Sequence, residues 1–254
     1  MRNQPPATTG LPGLDAVLSG IEPGDNIVWE VNAIADYQEF VSPYAAAAQA
    51  MGRRLVYFRF ADHPALLSPT PGIEQHDLDP RCGFEAFVHS VHDVIETAGP
   101  GTLYVFDCLS HLADTWGSDQ SLGNFFQLTC PRLLDLETVT YFGIYRDRHS
   151  AYAIEPIRGT TQFMLDVFRL EGRLYIRPVK IQYRSRDVAY FPKKTGNSIN
   201  DEWFRKAPNR LLELESSAAS LAEVVRVIDC SDAEQRVWLR ADTTEQEALV
   251  FLRP

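Results

Sequence analysis

Up to about residue 145, short apolar runs alternate with stretches whose apolar positions recur at helical spacing. Ile27–Val31 is the first run. Asp36–Met51 follows, with Phe40, Tyr44, Ala47, Ala48 and Met51 on one stripe and Gly52 as the stop. RRLVYFRFAD reads as a second strand, HPALLSPTPG (63–72) as a proline-rich loop, and EQHDLD as a candidate short third strand. Gly83–Ala98 carries Phe84, Phe87, Val88, Val91 and Ile95 at helical spacing. TLYVFD is a continuous apolar run ending in Asp107, the pattern of a strand buried on both faces of a parallel sheet. Residues 119–136 predict a helix in which Pro131 must start or break a turn, and TVTYFGIYR predicts the next strand.

The pattern then changes. Thr160–Leu170, GRLYIRPVKIQYRSR and DVAYFP read as strands joined by a short EG turn, so the far edge is expected to be antiparallel. The expected fold is α/β: a mostly parallel central sheet flanked by helices, with antiparallel strands at one edge. Residues 1–195 are assigned to this domain and 196–254 to a C-terminal appendage. There LLELESSAASLAEVVRVI predicts at least one helix, SSAAS a linker, and RVWLRA with EALVFL a closing strand pair.

Composition narrows the class. Of 254 residues, 45% are hydrophobic and 11% aromatic, which is enough to build a core. A net charge of −10 disfavours sequence-independent binding to nucleic acid or anionic lipid. No apolar stretch approaches the roughly 20 residues of a membrane span, and the polar start MRNQPPATTG has no signal-like apolar segment. The expected setting is the cytoplasm. Cys82, Cys108, Cys130 and Cys230 form no C-x-x-C pair, so ordinary thiols are expected rather than a zinc knuckle or disulfide framework.

Charge matters most at the first strand–helix junction. A phosphate-binding loop needs glycines, so that backbone N–H groups can surround the phosphates, and a lysine to reach the outer oxygens. Between Val31 and Phe40 there is no glycine, and from Asn3 to Gly52 there is no lysine, arginine or histidine. Asp15, Glu22, Asp25, Glu30, Asp36 and Glu39 meanwhile supply six negative charges. Each close carboxylate–phosphate pair costs on the order of 1 kcal/mol or more. ATP with magnesium is therefore not expected to bind, and no cofactor or metal is predicted.

The order of these segments resembles a known family. TGLPGLDAVLSGIEPGD, GRRLVYFRFAD, LYVFDCLSHL, VTYFGIYR and LDVFRLEGRLYIRPVKIQYRS, over roughly residues 8–187, are similar to the RecA-type ATPase domain of KaiC and its relatives. The opening T-G-x-P-G-x-D is the most specific part. The resemblance implies a RecA-like P-loop fold with a degenerate Walker A, because VNAIADYQ stands where the family has G-x-x-x-x-G-K-T. The lysine position then falls near Tyr37 and the threonine near Gln38, Ala61 and Asp62 replace paired glutamates, and Asp107 matches the Walker B aspartate. Of the family's intersubunit K-x-R element, Lys180 remains and Gln182 stands for the arginine. YFRFADH, FDCLS and SDQSLGNFFQLTCPRLLDLETVTYF also resemble a RecA-like segment ahead of the catalytic parts of phosphoenolpyruvate synthase-like proteins. That likeness implies an accessory module beside a phosphotransfer enzyme.

Other chemistry-bearing residues fall at predicted strand ends. Asp62 and Asp107 are the candidates for a catalytic role, with His63, His111, Arg146, His149 and Lys180 as candidate ligand-binding groups. Each has a plain structural alternative: Asp107 as a helix cap or a partner of neighbouring loop amides, Asp62–His63 as a satisfied loop pair, and the histidines as loop residues. Ser110 lacks the glycines of a nucleophile elbow. Arg146, Arg148, Arg158, Lys180, Arg184 and Arg186 make the second half locally basic, read either as a solvated edge paired with the chain's own carboxylates or as an anionic-partner surface. YFRF and WEV fit core packing, whereas GNFF (123–126) is expected to form an exposed contact patch.

The first expectation for function is a non-catalytic module for scaffolding, protein association or regulation, with a protein partner or self-association. The second is a small-molecule or metal-binding enzyme or sensor using the strand-end crevice. An ATPase completed by a neighbouring subunit is the third.

Overall fold

Alternate residues of each inner strand face opposite sides of one sheet, and each side has its own helices. In a computed structural model of the chain, residues 7–18, 20–68, 70–170, 173–181, 210–214 and 225–229 are described. Strands β1 (Asn26–Val31), β2 (Leu55–Arg59), β3 (Ile73–Asp77), β4 (Leu103–Cys108), β5 (Val139–Tyr145) and β6 (Phe163–Leu170) run parallel. β7 (Arg173–Ile181), β8 (Arg210–Leu214) and β9 (Val225–Asp229) extend the sheet antiparallel, giving the order β3-β2-β4-β5-β1-β6-β7-β8-β9. No described helix is long and apolar enough to cross a membrane.

Period-two alternation divides the core. Ile27, Trp29, Tyr57, Val105 and Tyr141 lie with α1 (Pro12–Leu18) and α2 (Ile34–Ala50). Val28, Phe58, Phe106 and Phe142 lie with α3 (Phe84–Ala98), α4 (Ser110–Trp116), α5 (Asp119–Asp135) and α6 (Ala151–Thr160). Trp29 stacks on Phe40 at 4.1 Å and Tyr44 on Tyr141 at 4.0 Å, which fixes α2 to β1 and β5. Such ring pairs add about 0.5–1.5 kcal/mol each beyond burial.

The TGLPGLD segment is a structural clamp. Asp15 accepts from the hydroxyls of Thr8 and Thr9 and from the Thr9 amide. Gly10 has φ +79°, and a Cβ there would sit 2.2 Å from the Pro43 carbonyl oxygen of α2.

Three sequence expectations need correction. α5 runs unbroken through Pro131. The proline sits on the exposed side of the helix, while Cys130 and Leu133 hold it to the core. GNFF is not an exposed patch: Phe125 and Phe126 are wholly buried. Residues 210–214 and 225–229, expected within a helical region, are strands, because the open edge of β7 offers β8 a ladder and β8 offers one to β9. DVAYFP, SSAAS, RVWLRA, EALVFL, Gln182, Arg184, Arg186 and Cys230 lie outside the described residues.

Candidate functional site

The C-terminal ends of the parallel strands form the edge where open α/β sheets place ligands. β1 reaches α2 through only Asn32 and Ala33. The space beneath the first turn of α2 is filled. Tyr37 is wholly buried there, its hydroxyl donating to the Phe106 carbonyl at 3.2 Å. A Cβ on Gly143 of β5 would lie 2.7 Å from the Tyr37 ring, so the glycine is what admits the tyrosine. Burial holds the Tyr37 phenol well above its ordinary range, so it stays neutral.

The turn is not without a cation, however. Arg169 of β6 donates to Asp36 at 2.9 Å and lies 3.8 Å from Glu39, a pairing that no local reading of residues 3–52 shows. Asp36 also meets the positive end of the α2 dipole.

β2 and β4 are neighbours whose onward connections diverge, to β3 on one side and towards β5 on the other, the topology at which open α/β sheets place their ligand crevices. Asp107, the last residue but one of β4, is wholly buried at that strand end. Its Oδ2 accepts from Arg59 Nη1 at 2.6 Å and from the Phe60 and Ala61 amides at 2.9 Å each; its Oδ1 accepts from the Tyr57 hydroxyl. Arg59 also donates to the carbonyls of Ala61 and His63, and the Leu66 amide donates to Tyr57. Asp107 thus anchors the β2–β3 loop by bonding to its amides, the second form of its structural alternative, and does not cap α4.

Asp107, His63 and His111 are brought together. His63 Nε2 is 3.7 Å from Asp107 Oδ1, and the His63 and His111 rings are 5.5 Å apart. Asp62 is exposed at the rim. Burial, then the nearby His63, hold the His111 imidazole below its ordinary range. Among the described residues, no group of three or more His, Cys, Asp or Glu is arranged to hold a metal ion.

His149 belongs to a different constellation. Its Nε2 is 2.7 Å from Ser110 Oγ and its Nδ1 2.8 Å from Asp119 Oδ1, while Asp119 Oδ2 accepts the Ser150 amide at 2.7 Å. This has the order of a serine-hydrolase triad, but Ser110 has no exposed surface and its Oγ already accepts the Tyr145 amide at 2.8 Å. The chain of bonds ties β4–α4 to the β5–α6 loop and the start of α5. Arg146 lies apart from both groups, bound to Asp166 and, at 2.6 Å, to the Val167 carbonyl. Lys180 donates to the Arg158 and Thr161 carbonyls at the end of α6, and burial lowers its amine to about 8. Arg148 pairs with Asp114 at 3.1 Å and Arg158 with Glu155 at 3.6 Å, so the described basic residues meet the chain's own carboxylates or carbonyls.

Comparison with protein-family models and with curated proteins finds no match. Function has to be argued from the sites themselves.

Arg59, Tyr57 and Asp119 were not singled out in the sequence. Arg59 had one signal: a charged residue ending an otherwise apolar strand whose neighbour ends in aspartate. Asp119 had none, since its partner lies 30 residues away.

Proposed function

We propose that this chain is a non-catalytic module of RecA/KaiC-like descent, in which the phosphate-binding turn has become core, and that it acts by protein association or regulation. The setting we propose is beside a phosphoenolpyruvate synthase-like phosphotransfer enzyme, on the strength of the resemblance carried by YFRFADH, FDCLS and residues 118–142. The observation that carries the reading is the two-residue β1–α2 connection sealed by Tyr37 against Gly143. The aspartate matching Walker B supports it, because its carboxylate is engaged by Arg59, Tyr57 and two amides. A ligand at 100 times its dissociation constant stabilises by about 2.7 kcal/mol. Millimolar magnesium-ATP is therefore expected to leave the melting temperature unchanged, and a saturable upward shift would refute the reading.

A second reading, a sensor using the β2–β4 crevice, is favoured by one observation. The Nε2 atoms of His63 and His111 are buried beside Asp107 without hydrogen-bond partners among the described residues. Loss of an in vivo phenotype in His111→Ala protein that remains folded would favour this sensor over a passive scaffold.

A further inference from the structure

β3 ends the sheet: β2 is its one strand neighbour among the described residues, and the register between them is regular over all five positions, without a bulge. Proline, lysine and bulges are common devices that stop an edge from pairing, and IEQHD has none of them. The Leu78 amide donates to the Arg59 carbonyl at 2.8 Å, so position 78 turns its backbone groups towards β2. Alternation turns those of Glu74 and His76 the same way and those of Ile73, Gln75 and Asp77 outward. The Ile73 amide is taken by the Thr70 carbonyl at 3.1 Å, while the outward groups of Gln75 and Asp77 face no strand among the described residues.

The side chains define what complements this edge. A second β3 laid antiparallel, with a two-fold axis at Gln75, pairs Gln75 with Gln75, Ile73 with Asp77 and Glu74 with His76 in both halves. Gln75 then forms a hydrogen-bonded pair through its outward groups, and Glu74 and His76 fall in the non-hydrogen-bonded pairs, where side chains approach most closely. Each carboxylate meets an imidazole. Moving the axis to Glu74 or Asp77 sets carboxylate against carboxylate, and moving it to His76 sets imidazole against imidazole. A chain of net charge −10 repels its own copy, but at this edge the charge is balanced: Arg54 donates to Glu74 at 2.6 Å, and His76 Nε2 lies 2.7 Å from Glu74 on the same face.

We propose that β3 is a self-association edge, on which a second copy of this chain adds its own β3 antiparallel about Gln75 and joins the two sheets. The occupant is the chain itself because the strand is its own complement in charge and in backbone pairing. The proposal rests on the association reading above and gives it a surface and a partner.

The test is sedimentation velocity of the full chain over a range of concentrations. Wild type should show a concentration-dependent dimer. Gln75→Pro removes an amide that points away from β2, at the kind of edge position where proline is tolerated, and should be a folded monomer. His76→Glu sets carboxylate against carboxylate across the axis and should weaken the dimer about tenfold or more. Adding Glu74→Lys to it restores unlike charges and should recover the dimer, which decides the matter should Gln75→Pro fail to fold. A wild-type monomer, a dimer indifferent to Gln75→Pro or to His76→Glu, or a charge exchange without rescue overturns the proposal. A dimer of that indifferent kind leaves the association reading standing on another surface, whereas nucleotide binding at the β1–α2 turn would remove that reading and leave the edge pairing intact.

Discussion

Tyr37 and Gly143 are a matched pair: the tyrosine ring occupies the position a side chain at 143 would need, with 2.7 Å between the ring and a built Cβ. Gly143→Ala should therefore strain a fully packed core and lower stability by about 1–3 kcal/mol. Tyr37→Phe removes only the bond to Phe106, a loss of about 0.5–1.5 kcal/mol. In a Tyr37→Leu background, Gly143→Ala should be less harmful than in wild type, a coupling that urea denaturation of the four proteins measures.

Asp107 neutralises Arg59 and receives two loop amides out of contact with solvent. Asp107→Asn should cost about 3–5 kcal/mol, as breaking a buried pair does. Asp62→Asn, at an exposed position, should stay within about 0.5 kcal/mol of wild type. Equal midpoints for the two variants in chemical denaturation would contradict the anchoring role.

Ser110→Ala leaves the Tyr145 amide and His149 Nε2 without their shared partner. A loss of about 1–3 kcal/mol is expected. Because Ser110 is inaccessible, a fluorophosphonate reagent should leave it unlabelled in the native protein, as mass spectrometry of the intact serine peptide would show.

Burial pushes the Cys108 thiol up to about 11 and the Cys130 thiol to about 12, whereas Cys82 is exposed. At pH 8 iodoacetamide should modify Cys82 and spare Cys108 and Cys130. Unfolded thiols lose their protons near the ordinary value of 9.0, while the folded ones keep theirs. The unfolded chain therefore binds fewer protons above that value, and each thiol removes about 1.4 kcal/mol per pH unit until its folded value is reached. The alkaline loss of stability should shrink in Cys130→Ala.

The parallel half of the fold was legible because its strands are apolar on both faces and its long helices carry clear stripes, as in α3. α4 and α6 were not legible: α4 is a single short helix, and Pro156 and Gly159 in α6 read as breakers. The edge strands β8 and β9 depend on a ladder offered by β7, which no local pattern reveals. At the site, the lack of glycine and lysine between residues 31 and 40 was plain in the sequence. What filled the space was not, because Tyr37 meets Gly143 at a sequence separation of 106 and Asp36 meets Arg169 at one of 133. The histidines at strand ends were visible individually, but their division into a crevice pair and a separate Ser110–His149–Asp119 chain is set by tertiary packing.

The central claim is that the β1–α2 turn is closed to polyphosphate. Its most direct test is an amide NMR titration of the full chain with magnesium-ATP, read at residues 32–38. The closed turn predicts unmoved resonances there up to millimolar nucleotide; saturable shifts at Asn32, Ala33 and the first turn of α2 would contradict it.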